Sequence, residues 1–598
     1  MSIPSSRGPS PRRARPARAA AGAATFLAAM ATASLTAACG AGPAVPPADL
    51  VLTNGKIVTV DDARPQAQAV AISGDRIVAV GSNREIRRYV GPNTEVIDLE
   101  GRLAVPGFIE GHGHFMGLGR AAMILDLTTA RTWDDIVAMV AEAARQAEPG
   151  EWILGRGWHQ EKWETAPTPN VDGVPLHHSL SAVSPNNPVY LTHASGHASF
   201  ANARAMELAG INRNTRDPAG GTIVRDANGN PTGLLRERAQ GLVSAAIERD
   251  EARRSPEEVA ATMRRMVELA GEELLRKGVT SFHDAGSGFA TIDFLRRLAE
   301  EGALPVRLYV MVRGESNDVM AEKLPQYRII GAGNDFLTVR SIKRQIDGAL
   351  GAHGAWLFEP YADLPTTTGL VLEPPEDIRR TAEIAIQHGF QVNTHAIGDR
   401  ANHEVLDIYA SVFDEHPDAT DLRWRIEHAQ HVDPEDVPRF AELGLIASMQ
   451  AVHGTSDWPW VPTRLGRERA ERTSYLWRSF LDAGVVVTNG TDTPVEDVDP
   501  LASFYAAVAR KTREGEVFTP EQKLTREEAL RGYTLDNAYA AFEEEIKGSI
   551  TPGKLADIVV LSKDIMTIPE DEILETRVVM TILGGVVRYR AEGEVAAR

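Results

Sequence analysis

Between about residues 104 and 545 the chain repeats one unit: a short apolar run ending in glycine or a polar residue, then an amphipathic block. VTSFHDAG precedes FATIDFLRRLAEEG, FQVNTHAIGD precedes ANHEVLDIYASVFDEH, and LRWRIEHAQ precedes DPEDVPRFAELG. VVVTNGTDTP leads into a further helical stretch. A helix between two strands returns the chain in the same direction, so the strands pair in parallel. The run of such units predicts a closed TIM (β/α)8 barrel. The flanks are different. Residues 49–103 (LVLTNGKIVTV, AVAISGDRIVAVG, TEVIDLEGRLAVPG) and 546–598 (KGSITPGKLADIVVLS, VVMTILGGVVRYR) alternate apolar residues with Asn-Gly and Gly-Asp turns. Such segments form hairpins. The predicted fold class is α/β: a TIM barrel with a small β-sandwich formed from both termini.

Residues 115–275 break the pattern. Clusters such as GRGWHQEKWETAPTPN, VSPNNP and RDPAGG read as irregular. The expectation is an insertion over the barrel mouth, where substrate loops sit.

The first residues read as an address. Arg7, Arg12, Arg13, Arg15 and Arg18 precede an Ala-rich apolar stretch, and no acidic residue occurs before Asp49. A basic region followed by an apolar one is the pattern of a secretory signal. Cys39, the sole cysteine, follows Leu35-Thr36-Ala37-Ala38 as in a bacterial lipobox. Residues 1–38 are therefore expected to be a lipoprotein-type signal peptide, and 39–48 a Pro-rich tether. The protein is expected to be exported and anchored to the cell envelope by a lipid on Cys39; a soluble periplasmic or secreted form is the alternative. Arg12-Arg13 leaves both the general and the twin-arginine export routes open. A single cysteine excludes an internal disulfide framework and a cysteine-based zinc site. The net charge of −19 argues against nucleic-acid partners. Oligomeric state is not legible, and a homodimer stays among the readings.

Histidine placement carries the chemistry. In PGFIEGHGHF, His112 and His114 stand two apart. On a strand such residues face the same way and can share one divalent metal. Four more strand ends carry ligand-type residues: Lys343 (SIKRQIDG), His395 (VNTHAIGD), His428 (RIEHAQ) and Asp492 (TNGTDTP). Any one alone reads more simply as a core or surface group. Together they are what a metal-dependent hydrolase needs: imidazoles to hold the cation, and a carboxylate to take a proton from water.

VPGFIEGHGHF, THAIGDRA, RIEHAQ, FLDAGVVVTNGTDTP and GSITPGKLADIVVL resemble the amidohydrolase superfamily, most closely its amidohydrolase-3 branch of YtcJ-like and N-substituted formamide deformylase-like proteins. The resemblance runs from about 49 to 590. It implies a barrel with a flanking sandwich and a site for one or two divalent ions, usually zinc. It implies His112 and His114 on the more buried metal, His395 and His428 on the second, and Lys343 as a carboxylated bridge. Asp492 is implied as metal ligand and as general base, then acid. The chain departs from the branch at Asp347–Ala355, where His353 replaces the usual arginine. SMQAVH lacks the proline of the branch's related loop.

Substrate-side candidates are His197, Glu237, Trp158 and His353. His197 and Glu237 match branch positions, and Trp158 could form an apolar wall. His193 sits four residues before His197, but Gly196 and the missing glutamate exclude an HExxH zinc helix. Of His283 and Asp284 only one can point inward, and Asp284 is a candidate supporting residue. The expected activity is hydrolysis of a non-peptide amide-type C–N bond in a small molecule (an N-acyl amine, formamide or cyclic amide) by metal-hydroxide attack, with Asp492 as base. The alternatives are an ester, lactone or carbamate hydrolase or a deaminase, and, outside enzymes, a non-catalytic binding lipoprotein.

Overall fold

Eight parallel strands follow one another in chain order around a barrel. They are β1 (Phe108–Gly113), β2 (Val279–Ser287), β3 (Arg307–Val312), β4 (Leu337–Gln345), β5 (Gln391–Ala396), β6 (Arg425–His428), β7 (Ile446–Met449) and β8 (Val486–Asn489). The computed structural model describes residues 45–592, apart from 172 and 195. The leader and Cys39 lie outside the described residues, and the barrel and its flanks belong to the body from Pro47 onward. Nearly every residue of β1, β2 and β3 is buried, as expected for strands covered on both faces. Their apolar side chains join the outer helices in one large core. The helix Pro256–Arg276 shows why such segments are helical. Ser255 and Glu258 form a capping box, Pro256 opens the first turn, and Val267, Ala270, Gly271 and Leu274 recur on one buried face.

The barrel closes between β1 and β8 without a regular ladder. The Asn537 side chain donates to Ile109 O (2.7 Å) on one strand and Asn489 O (2.9 Å) on the other. The Glu110 carboxylate accepts from Thr491 N at 2.5 Å, and Asp492 N donates to His112 O at 2.8 Å. The strands meet so closely that a Cβ on Gly111 would lie 2.5 Å from Asn489 O. One on Gly490 would lie 2.6 Å from His112 N. Glycine is needed at both places.

The terminal strands interleave. Leu103–Pro106 pairs antiparallel with Ile558–Leu561, inside a six-stranded sheet that also holds Lys56–Val58 and Val578–Leu583. A four-stranded sheet containing Leu50–Thr53 and Ala69–Ser73 packs on it around Leu52, Val70, Ile72, Ile558, Val560 and Ile582.

The span after β1 is not irregular, contrary to the expectation. It contains a six-stranded mixed sheet in the order Gly221–Arg225, Pro231–Glu237, Ala198–Ala201, Val189–His193, Ile153–Trp158, Leu125–Asp126. Alternate residues face two separate apolar clusters: Val189, Leu191 and Leu234 join one, Tyr190 and Leu235 the other. Short strands between Gly- and Pro-rich turns hid this period from the sequence. The insertion also stops earlier than expected, because the helix Pro256–Arg276 packs in the barrel's own core.

Asn537→Ala should strip two buried carbonyls of their donor and cost about 2–4 kcal/mol. Comparing denaturation midpoints of the variant and native protein checks this; an unchanged midpoint would show that the seam is held by other contacts.

Candidate metal centre

Residues at the C-terminal ends of five barrel strands converge, the end where barrels of this kind place their chemistry. Ligand atoms of His112, His114 and Asp492 all lie within 4.8 Å of one another. Asp492 Oδ1 is 3.2 Å from His114 Nε2 and 3.5 Å from His112 Nε2. Lys343 Nζ lies 3.2 Å from His112 Nε2. The His428 ring is 4.8 Å from that of His112 and 4.4 Å from that of His395, centroid to centroid. The structure thus brings together all six side chains that the sequence singles out. Two of them sit on unusual backbone: His428 (φ 74°) and Asp492 (φ 56°) are in the left-handed region. Non-glycine residues are held there at a cost, and such outliers gather at functional sites.

Three polar groups that the sequence did not single out as functional orient the rings. Glu427 engages His112 Nδ1. Gln450 Oε1 lies 2.6 Å from His428 Nδ1, so that nitrogen carries the proton. Asp347 Oδ1 faces His395 Nε2 at 3.4 Å. The first two contacts leave Nε2 of His112 and of His428 available to a cation. Asp347 is itself pinned by the N–H groups of Trp356, Ile397 and Gly398. Glu427 precedes His428 in RIEHAQ and Gln450 lies within SMQAVH, so both stood inside recognised motifs. Only the fold shows which ring each one meets.

Electrostatics favour a deprotonated donor set. Burial, and then Lys343, push His112 down to about 4. Burial lowers His395 as well and puts His428 well below the ordinary imidazole range. Burial alone would raise the Asp492 carboxyl, but the imidazoles of His114, His112 and His428 hold it well below the usual carboxylate range. Burial brings Lys343 down to about 8. The buried atoms His395 Nε2 and Asp492 Oδ1 make no well-formed hydrogen bond. Neutral imidazoles, an ionised carboxylate and an easily deprotonated amine fit a divalent cation.

Beneath the site, Arg425 is fully buried, donates to Ala540 O at 2.5 Å and lies 3.2 Å from His283 Nδ1. Of the FHDAG pair, His283 therefore faces the barrel interior. Asp284 accepts from Phe115 N at 3.0 Å and anchors the turn that follows His114.

The substrate-side candidates disperse. Trp158 is not a wall of the site: only 1% exposed, it lies in the insertion's own core, stacks on Trp163 and donates to Leu191 O. A tryptophan on a short strand with both sheet faces covered has no route to solvent. His353 faces Asp363 at 3.1 Å and packs edge-on to Tyr361, in a group that includes Arg464. His197 and Glu237 face each other at 3.2 Å and are partly exposed.

The Amidohydro_3 profile, described as an amidohydrolase family, matches residues 95–589. The chain is 32% identical over 546 residues to "Putative amidohydrolase YtcJ" of Bacillus subtilis, covering 90% of this chain and 98% of that one. It is 32% identical over 556 residues to "N-substituted formamide deformylase" of Arthrobacter pascens, covering 91% and 99%. A crystal structure of an uncharacterized metal-dependent hydrolase from Pyrococcus furiosus superposes with a TM-score of 0.68 at 27% identity, covering 87% of this chain and 100% of that one.

The buried imidazoles make the metal-free protein acid-sensitive. An unfolded histidine takes a proton near pH 6.5, whereas folded His112 resists it down to about 4. The unfolded state binds more protons in that window, so stability falls as pH drops through it, by about 3 kcal/mol from His112 alone. His395 and His428 shift in the same direction. Urea midpoints of chelated protein at pH 7 and pH 5 test this, and an equal or higher midpoint at pH 5 contradicts it.

Proposed function

The chain belongs to the amidohydrolase family and is a hydrolase acting on C–N bonds; from that premise we propose that it cleaves small non-peptide amides (an N-acyl amine, formamide or cyclic amide) at a centre for one or two divalent ions, zinc first among them. The observation that carries this reading is the orientation of the rings. Glu427 and Gln450 each occupy one nitrogen of a histidine, Asp347 faces a third ring, and Nε2 of His112 and of His114 lie beside Asp492, with Lys343 next to His112. His112, His114 and Asp492 would hold one ion, and His395 and His428 a second. Lys343, 3.2 Å from His112 Nε2, would add an anionic ligand as a carbamate, its amine deprotonated readily enough to combine with carbon dioxide. The formamide end of the substrate range is supported by the relative named for that activity.

A divalent ion held there acidifies water and polarises the substrate carbonyl. The protein's own part is proton traffic and positioning. Asp492, ionised and with Oδ1 free of a well-formed hydrogen bond, takes the proton of the attacking water. It then delivers that proton to the leaving nitrogen. Asp492 N is tied to His112 O at 2.8 Å, which sets the backbone of the base beside the first histidine.

Chelation should abolish hydrolysis of N-acyl amines, and zinc should restore it. Asp492→Asn should lower kcat by about 10²–10⁴ with little change in KM. Activity that survives complete metal removal, verified by elemental analysis, eliminates this mechanism. We also assign residues 1–38 as an export leader and Cys39 as the lipidated residue that holds the enzyme at the cell envelope. Labelled palmitate should enter the native protein and not Cys39→Ser; equal labelling of both refutes the anchor.

A further inference from the structure

Strand β3 ends in an arginine at the level of the metal centre. Leu308, Val310 and Val312 join the core outside the barrel, whereas Tyr309 meets His283 and Arg425 inside it. Side chains alternate along a strand, so Met311 and then Arg313, which directly follows β3, share the inner face with Tyr309. Register fixes the height. Met311 and Val312 are the partners of Ser341 and Ile342 on β4, which puts Arg313 level with Lys343, and Lys343 Nζ is 3.2 Å from His112 Nε2. Two contacts aim the side chain. A Cβ on Gly286 (φ 138°), near the end of β2, would lie 2.3 Å from Arg313 Cβ, so only glycine leaves room for the stem. The head donates from Nη2 to Gln345 Oε1 at 3.0 Å. Gln345 stands two residues beyond Lys343 on the same face of β4 and is the register partner of His395. It also donates to Asp347 O, and the Asp347 carboxylate faces His395. The guanidinium therefore lies at the barrel rim, on the side of the metal centre that holds Lys343 and His395.

Partly buried, that guanidinium uses one of its five N–H donors, and among the described residues no carboxylate pairs with it. Its neighbours are provided for. Arg307, on the same inner row, pairs with Asp557, and Arg344 lies beside Glu373, whose other oxygen receives Gln345 N. Withdrawing a cation from water without a counterion is unfavourable, and a planar fork of free donors matches a carboxylate or similar anion.

We propose that Arg313 is a specificity-determining residue, and that the substrates are amides bearing a carboxylate or equivalent oxyanion, which the fork of Arg313 receives while the scissile bond lies at Asp492. This rests on the amide-hydrolase reading and narrows its substrate class. Gly286 and Gln345 hold the arginine in place before anything binds, so little ordering is left for the substrate to bring about.

The test uses zinc-loaded enzyme and N-formyl ω-amino acids of two to six carbons, each assayed beside its neutral carboxamide. At one chain length, set by the span from the metal centre to the fork, the acid should show a KM about ten-fold below that of its carboxamide, with similar kcat. The preference is a ratio taken within one protein, so general damage cancels from it. Arg313→Met should erase the preference, and Arg313→Lys, which keeps the charge without the fork, should retain only part of it. Equal KM for acid and carboxamide at every length in native enzyme overturns the proposal, and so does a native-sized preference in either variant. If Arg313→Met fails to fold, the native comparison and Arg313→Lys still decide. Binding is read separately by calorimetry with N-methanesulfonyl ω-amino acids and their carboxamides, which the enzyme does not cleave. If no formamide is hydrolysed but the sulfonamide acids bind more tightly than their carboxamides, and that advantage shrinks in Arg313→Lys, the anion site stands and the C–N reading falls. An advantage that survives undiminished in the variants belongs to carboxylate on the metal and refutes the role of Arg313.

Discussion

The seam between β1 and β8 sets the geometry on which the rest depends. Glu110 and Thr491 are 381 positions apart in the chain, yet the carboxylate of one accepts the amide of the other. Two residues on from Glu110 and one on from Thr491, His112 O receives Asp492 N. The seam therefore does two things at once: it shuts the barrel and it sets the proposed base against the first histidine. Its materials suit a place where two backbones nearly touch. Gly111 and Gly490 have no room for a side chain, Asn537 reaches both strands, and burial raises the Glu110 carboxyl to about 8. A barrel strained open at this line would separate His112 and His114 from Asp492.

Much of this was legible beforehand. The βα repetition is local, and period-2 strands followed by helices can be read without knowing what they touch. His112 and His114 announce a shared face by spacing alone, and His395, His428 and Asp492 each stand just where an apolar run gives way to a loop. The partners of those residues were not legible. Nothing in the composition of SMQAVH says that Gln450 meets the ring of His428, since the two come from neighbouring strands and the contact exists only once the sheet has its register. Asp347 seemed to belong to a loop that departs from the family, yet it is a hub for three amides and faces His395. The insertion misled for a different reason. Its strands run two to seven residues between turns, too short for alternation to stand out. Trp158 read as a candidate apolar wall because the strand that buries it was unseen.

Charge is distributed unevenly with depth. The chain as a whole is acidic, but the barrel interior holds Arg425, Lys547 and Lys343 close to Glu427, Glu543 and His283. Glu427 shows how such a layer holds itself: burial would raise its carboxyl, and His112, Lys343 and Arg425 together bring it to about 2. A carboxylate fixed in that way makes His112 Nδ1–H a permanent donor. The histidine thereby keeps one tautomer whether or not anything is bound on its other side.

The pairing of Leu103–Pro106 with Ile558–Leu561 bears on how the molecule is assembled. A ribosome delivers residues in order, so Leu103–Pro106, paired on one side with Lys56–Val58, must wait for its other neighbour while more than four hundred residues of barrel are made. The last-made hairpin then slots against one of the earliest strands and completes the sandwich. Assembly ends where it began, with the final segment acting as a clasp across the whole intervening ring.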